Sequence, residues 1–174
     1  VAVSYGNGGV YTSLDGIHWS NLIFVPITIY SFIMGGLPFQ IVFGNGLFIM
    51  TDQMTNYMYT SKDSGVTWTQ YDHSALGAVT GMTYAPKLGI FMVIASYKYY
   101  LTLDGQYLIS PSTALFQAVP LDCDWSPQTQ TLVVTTSVTG LVYTQTDTWQ
   151  VTRVTNEKIG YSWVVWSPEP VSYT

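Results

Sequence analysis

The sequence predicts an all-β repeat fold, on three observations. Landmark aromatic residues recur at a fixed spacing, glycine-centred turns recur in phase with them, and the β-branched and aromatic runs between them are too short for helices. Phe43, Tyr84, Trp125 and Trp166 follow one another at steps of 41 residues, and the last three open the related triplets Tyr84-Ala85-Pro86, Trp125-Ser126-Pro127 and Trp166-Ser167-Pro168. A second series, Tyr11-Thr12-Ser13, Tyr59-Thr60-Ser61, Tyr100-Leu101-Thr102 and Tyr143-Thr144-Gln145, keeps nearly the same phase at steps of 48, 41 and 43. A period of this length, filled with short strands and turns, fits a β-propeller blade of four antiparallel strands. No long 3.6-residue stripe supports a helical solenoid.

Each unit reads as strand, turn, strand, turn, strand, turn, strand. In the second unit the strands fall at about 39–43, 47–51, 57–61 and 67–71; in the third, at 81–85, 90–95, 98–103 and 106–110; in the fourth, at 121–125, 131–135, 140–145 and 149–153. Blade units of one propeller domain are therefore expected at about 1–21, 39–71, 80–112 and 120–154, with a partial unit at 161–174. Gly44-Asn45-Gly46 supplies positive φ between the first two strands of unit two, and Lys87-Leu88-Gly89 does the same in unit three. The continuous apolar run Phe91-Met92-Val93-Ile94-Ala95 reads as a central strand covered on both faces.

The first unit lacks its first strand, and the last stops after about two, so two architectures stay open: a slice of a larger propeller, or an irregular small propeller of about four blades. Trp19 to Phe43 spans 24 positions where Trp68 to Tyr84 spans 16, which makes the connector 20–38 an insertion. It is apolar, and residues 22–36 are expected either to join a neighbouring chain or a second copy, or to be buried as a plug or an extra strand. The same stretch contains Pro26, Gly35, Gly36 and Pro38 and does not read as a membrane span.

Composition narrows the function classes. Lys and Arg number 5 against 10 Asp and Glu, a net charge of -5, so no basic stripe exists for a nucleic-acid backbone. Charged residues make up 9% of the chain and apolar ones 48%, a balance suited to secreted, cell-surface or virion proteins. A start without Met fits a processed chain or a fragment, no signal peptide is visible, and Cys123 alone leaves the redox compartment open.

Ser61-Lys62-Asp63-Ser64-Gly65-Val66-Thr67-Trp68 has the spacing Ser-x-Asp-x-Gly-x-Thr-Trp and resembles the Asp box, or BNR repeat, of sialidase-like propellers. Ser13, Asp15, Gly16 and Trp19 make a box one residue shorter, Asp104 and Gly105 centre a third between Thr102 and Tyr107, and Gln145-Thr146-Asp147-Thr148-Trp149 lacks the Gly. In such a box the Asp accepts turn N–H groups, the Gly takes a conformation that would strain a Cβ, and the Trp returns its ring to the blade. The resemblance implies a propeller superfamily that includes glycoside hydrolases, photosystem assembly factors, sorting receptors and phage tail proteins. Sialidases similar to it clamp a sugar carboxylate with three arginines, whereas Arg153 is the single arginine here.

Candidate chemistry is sparse. Asp122 and Asp124 share one side of a strand at i,i+2 and are a weak candidate for paired-carboxylate catalysis. His18 and His73 lie 55 positions apart, and neither they nor Cys123 have a partner at metal-ligand spacing, so no metal or cofactor is expected. The turns between second and third strands, together with the blade connectors, form one end of the propeller and leave the boxes at the other. There Asn56, Tyr57, Asp72, His73, Tyr97, Lys98 and Tyr99 combine flat rings with amides and few charges, a recipe for a neutral or weakly charged glycan. The sequence thus favours a noncatalytic glycan-recognition and structural module, extracellular or on a virion surface, serving adhesion or host attachment in the manner of a tail fibre. A segment of an extracellular Asp-box glycoside hydrolase and a protein-binding assembly scaffold are the alternatives.

Overall fold

The computed structural model describes residues 1–3, 9–20, 23–24, 38–52, 57–110, 116, 118–137, 140–145 and 150–153. Asn56, most of the connector 20–38, all of the fourth box but Gln145, and the partial unit 161–174 lie outside the described residues.

The short strands β1 (Ala2–Val3), β2 (Gly9–Tyr11) and β3 (Ile23–Phe24) form the first sheet in sequence order. β4 (Pro38–Gly44), β5 (Leu47–Asp52), β6 (Tyr57–Ser61) and β7 (Thr69–Asp72) form the second. The third contains β8 (Val79–Ala85), β9 (Ile90–Ala95) and β10 (Lys98–Thr102), and the fourth β11 (Pro120–Ser126), β12 (Thr131–Thr136), β13 (Gly140–Gln145) and β14 (Gln150–Arg153). Every pairing is antiparallel between neighbours in sequence, the up-and-down order of a propeller blade. The expected fourth strand at 106–110 is reduced to one bridge, Ile109 against Leu101, after a turn in which Asp104 Oδ1 accepts the N–H groups of Gln106 and Tyr107.

Turn chemistry sets the registers. Gly44 pairs with Leu47, leaving Asn45 and Gly46 at φ of 49° and 74°, the two left-handed positions of a two-residue hairpin. Between β8 and β9, Gly89 at φ 66° closes a turn by donating its N–H to Ala85 O at 2.9 Å. β9 is buried at five of its six positions, as a strand sandwiched between two neighbouring sheets must be.

The landmark aromatics explain how the sheets stack. Phe43, Tyr84 and Trp125 stand across the ladder from Phe48, Phe91 and Leu132. The residue after each is small: Gly44, Ala85 and Ser126. Tyr84 lies over Gly44 so closely that a Cβ there would stand 2.3 Å from the ring's Cγ, and Trp125 shares a core cluster with Ala85. Tyr84 therefore covers the small residue of the sheet before it, and Trp125 packs with that of the third sheet, while Phe43 stays exposed against Phe48 of its own sheet. The box glycines do the same at the other landmark: a Cβ on Gly65 would meet Thr12 at 3.2 Å, and one on Gly105 would meet Thr60 at 2.7 Å. Thr12 and Thr60 each stand immediately before the box of the preceding blade.

Core clusters lie between successive sheets. Leu47, Ile49 and Met58 pack on Val79, Met82, Phe91 and Val93, while Met92, Ile94 and Tyr99 pack on Cys123, Trp125, Leu132 and Val134. On the first strands of the blades a polar seam joins the sheets. Gln40 Nε2 donates to Thr80 O and to Asp122 Oδ1, each at 3.4 Å, and Thr83 Oγ1 donates to Asp124 Oδ1 at 3.1 Å.

Candidate functional site

Two-residue hairpins normally require Gly or Asn at their left-handed positions, yet Ser96 and Tyr97 fill them between β9 and β10 at φ of 45° and 67°. Neighbouring connectors hold them there. Gly77, itself at φ 74°, presses on the turn so closely that a Cβ would lie 2.0 Å from Ser96 Oγ, and Phe116 donates its N–H to Tyr97 O at 2.8 Å. Tyr97 remains 43% exposed, so a flat ring stands in water on a backbone fixed from two sides. Left-handed backbone on a bulky residue is strained, and such strain clusters at ligand-binding positions.

The structure separates the other expected ligand residues. Tyr57 is half-buried and meets Tyr59 edge-on with ring centroids 6.5 Å apart. Lys98 is partly buried at the start of β10. Tyr99, 1% exposed, packs in the core between the third and fourth sheets and is withdrawn from any ligand surface, since side chains alternate along a strand and Tyr97 and Lys98 precede it at the turn. Asp72 is exposed and its Oδ1 accepts the Ser74 N–H at 2.8 Å, which starts a 3-10 turn over Ser74–Leu76. His73 Nε2 bonds the Gly105 carbonyl at 2.7 Å and acts as a tie between the second blade and the third blade's box.

Asp122 and Asp124 belong to the inter-blade seam. Asp122 is 8% exposed and its Oδ1 also accepts the Cys123 N–H at 2.8 Å, while Asp124 Oδ1 accepts the Trp125 N–H at 2.8 Å. Burial, and then the two flanking carboxylates, push the Cys123 thiol pKa up, which keeps it protonated and unreactive. Among the described residues no group of three or more His, Cys, Asp and Glu side chains could hold a metal ion.

The three box loops share one hydrogen-bond plan. Ser13, Ser61 and Thr102 accept the N–H of Gly16, Gly65 and Gly105, each at 2.8 Å, and donate to Oδ1 of Asp15, Asp63 and Asp104. Those oxygens accept the backbone N–H of His18 at 2.8 Å, Thr67 at 2.9 Å and Tyr107 at 3.2 Å. The glycines sit at φ of 75°, 87° and 75°. The indole N–H of Trp19 reaches Gly16 O at 3.2 Å and that of Trp68 reaches Gly65 O at 2.9 Å, although Trp19 stays 47% exposed while Trp68 packs beside Val10, Met50 and Tyr59.

Each box carboxyl is held below the usual carboxylate range. For Asp15 the largest cause is the His18 ring, whose Nδ1 lies 2.7 Å from Oδ2. For Asp63 it is the Thr67 hydroxyl, followed by the Thr67 N–H, and the pKa falls to about 2. For Asp104, burial opposes the shift and the N–H groups of Tyr107 and Gln106 outweigh it.

A cavity of about 500 Å³ opens at this end of the blades, between the first two box loops, lined by Val1, Thr12, Ser13, Leu14, Asp15, His18, Phe48, Ser64 and Val66. Sequence reasoning missed it because its walls come from residues about 50 positions apart that share no motif beyond the boxes.

No protein-family model matches the sequence, and no curated protein does. Solved structures do. A chain of a nidogen/laminin complex matches at 13% identity and TM-score 0.65, over 90% of this chain and 61% of that one. YCF48 bound to a D1 peptide matches at 20% identity and TM-score 0.51, over 80% and 43%, and YCF48 from Cyanidioschyzon merolae at 16% and 0.50, over 87% and 51%. The chain thus spans less than two thirds of each of these structures. At such identities the likeness establishes the fold: an all-β domain whose antiparallel sheets resemble propeller blades.

Proposed function

We propose that the chain is a noncatalytic recognition module, a segment of an Asp-box propeller on a secreted or virion-surface protein, that binds a neutral or weakly charged glycan. The observation that carries this reading is the Ser96–Tyr97 turn, which offers an exposed ring on a backbone clamped by Gly77 and Phe116. A ring fixed in advance covers the apolar face of a pyranose with little loss of side-chain entropy. Tyr57 and Lys98 flank the same end of the blades, and the low charge of the chain, 9% of its residues, suits an uncharged ligand. Catalysis is not part of the reading, because Asp122 and Asp124 hold the seam between blades.

The test is titration of labelled neutral oligosaccharides against the wild-type chain and Tyr97→Ala. Binding is expected to weaken about tenfold, the worth of one stacked ring, with an unchanged unfolding midpoint. Equal affinity in both proteins removes Tyr97 from the site.

A second reading, a protein-binding scaffold, draws support from the cavity at the box end and from two similar structures that are complexes, one of nidogen with laminin and one of YCF48 with a D1 peptide.

A further inference from the structure

We propose that the face of the first sheet turned away from the second, around Gly16 and Trp19, is the docking surface for a second copy of this chain, which arrives head to tail with its fourth unit leading. The face is separate from the Tyr97 turn, which belongs to the third sheet.

The chain's own repeats show what such a face accepts. The second and third boxes seat their glycine, and the residue three places on, against the sheet before. Gly65 is buried over Thr12 and Val1, and Trp68 packs beside Val10 of the first sheet. Gly105 is buried over Thr60 and Ile49 of the second sheet, and Leu108 packs against the cluster that contains Leu47, Ile49 and Met58. The first box has no such seat. Gly16 is exposed, a Cβ there would meet none of the described residues within 4 Å, and Trp19 stays 47% exposed although its indole is held to Gly16 O at 3.2 Å. An ordered box with a half-solvated indole gains from being covered by the same kind of surface that covers its two relatives.

The seat includes the threonine immediately before the preceding box, Thr12 under Gly65 and Thr60 under Gly105. Thr144 holds that place before Gln145 in the fourth unit, at a strand position paired with Leu132. Because Thr12 and Thr60 are already taken, Thr144 is the one that a neighbour's Gly16 would meet. Trp166-Ser167-Pro168, next in the repeat, matches the first-strand triplets Tyr84-Ala85-Pro86 and Trp125-Ser126-Pro127, and the first sheet, with β1, β2 and β3 among the described residues, contains no such triplet. A copy placed head to tail therefore brings both the threonine seat and the first-strand signature to the first sheet of its neighbour. Such a contact joins two different faces, and two copies of about four blades close into a ring of about eight, within the range of propellers.

The experiment is sedimentation velocity on the intact chain over a range of concentrations. A dimer is expected, and its dissociation constant is expected to rise about tenfold or more in Trp19→Asp, which alters an exposed side chain, and in Thr144→Arg. An equal mixture of these two variants keeps one intact interface per pair and is expected to associate more tightly than either variant alone. In the wild type, amide exchange over residues 12–20 is expected to slow as the dimer forms, a readout that needs no variant to fold. The proposal is overturned by a wild-type chain that stays monomeric at every concentration, which leaves the face to a different polypeptide, or by exchange at 12–20 that does not change with association. It is equally overturned by a folded Trp19→Asp that associates as the wild type does, or by a mixture no tighter than its components, the result for a face that pairs with itself.

Discussion

A box loop is held by one carboxylate that collects several hydrogen bonds, so the loop's stability follows that group's protonation. Asp63 has an ordinary value of 3.8 when unfolded and about 2 when folded. Because the folded value is the lower one, the contribution is fully present above about pH 4 and fades as the pH falls from there through about 2. Asp63→Asn is therefore expected to destabilise the chain at pH 6, and the gap in denaturation midpoint between variant and wild type is expected to shrink on acidification through that window. A gap that stays constant down to pH 2 contradicts the role given to the carboxylate. This much was legible in residues 61–68, whose spacing names the acceptor, the left-handed glycine and the returning indole. The fate of the other box tryptophan was not. Trp19 makes the same bond to its glycine carbonyl yet remains half exposed, and the shorter box gives no sign of that difference.

At the scale of elements, the 41-residue period has a packing counterpart: Tyr84 lies over the small Gly44 of the sheet before it, and Trp125 packs in one cluster with Ala85. Gly44→Ala places a methyl group into the Tyr84 ring and is expected to cost about 1–3 kcal/mol, as overpacking does. Much of that loss should return when Tyr84→Ala is added, so the two substitutions are expected to be strongly non-additive in a chemical denaturation cycle. Additive losses would mean that the ring and the glycine do not meet. Strand positions from Pro38 to Thr102 followed from this period and from the turns at Asn45-Gly46 and Gly89, which advertise their left-handed residues, whereas the strand expected at 106–110 is reduced to one bridge. The Ser96–Tyr97 hairpin advertises nothing, since neither side chain favours that conformation, and its partners Gly77, packed on Ser96, and Phe116, bonded to Tyr97 O, are brought in by the fold. For the same reason the run Tyr97-Lys98-Tyr99 reads as one ligand surface, whereas pairing with β9 turns Tyr99 into the core.

For the whole molecule, the sheets are held face to face by apolar clusters and by a polar seam along their first strands, and that seam uses Asp122 and Asp124, the pair the sequence offered as weak catalytic candidates. The seam was hidden in the sequence because Gln40 and Asp122 stand 82 positions apart and meet only when the first strands converge. Among the described residues the surface carries a part-exposed tyrosine at one end and a lined cavity at the other. The most direct measurement is incubation of the folded chain with a broad panel of neutral glycans, with retained ligand and cleaved product read in one mass-spectrometric assay. The account predicts retention without cleavage, reduced in Tyr97→Ala; cleaved product, or the absence of any retained glycan, would contradict it.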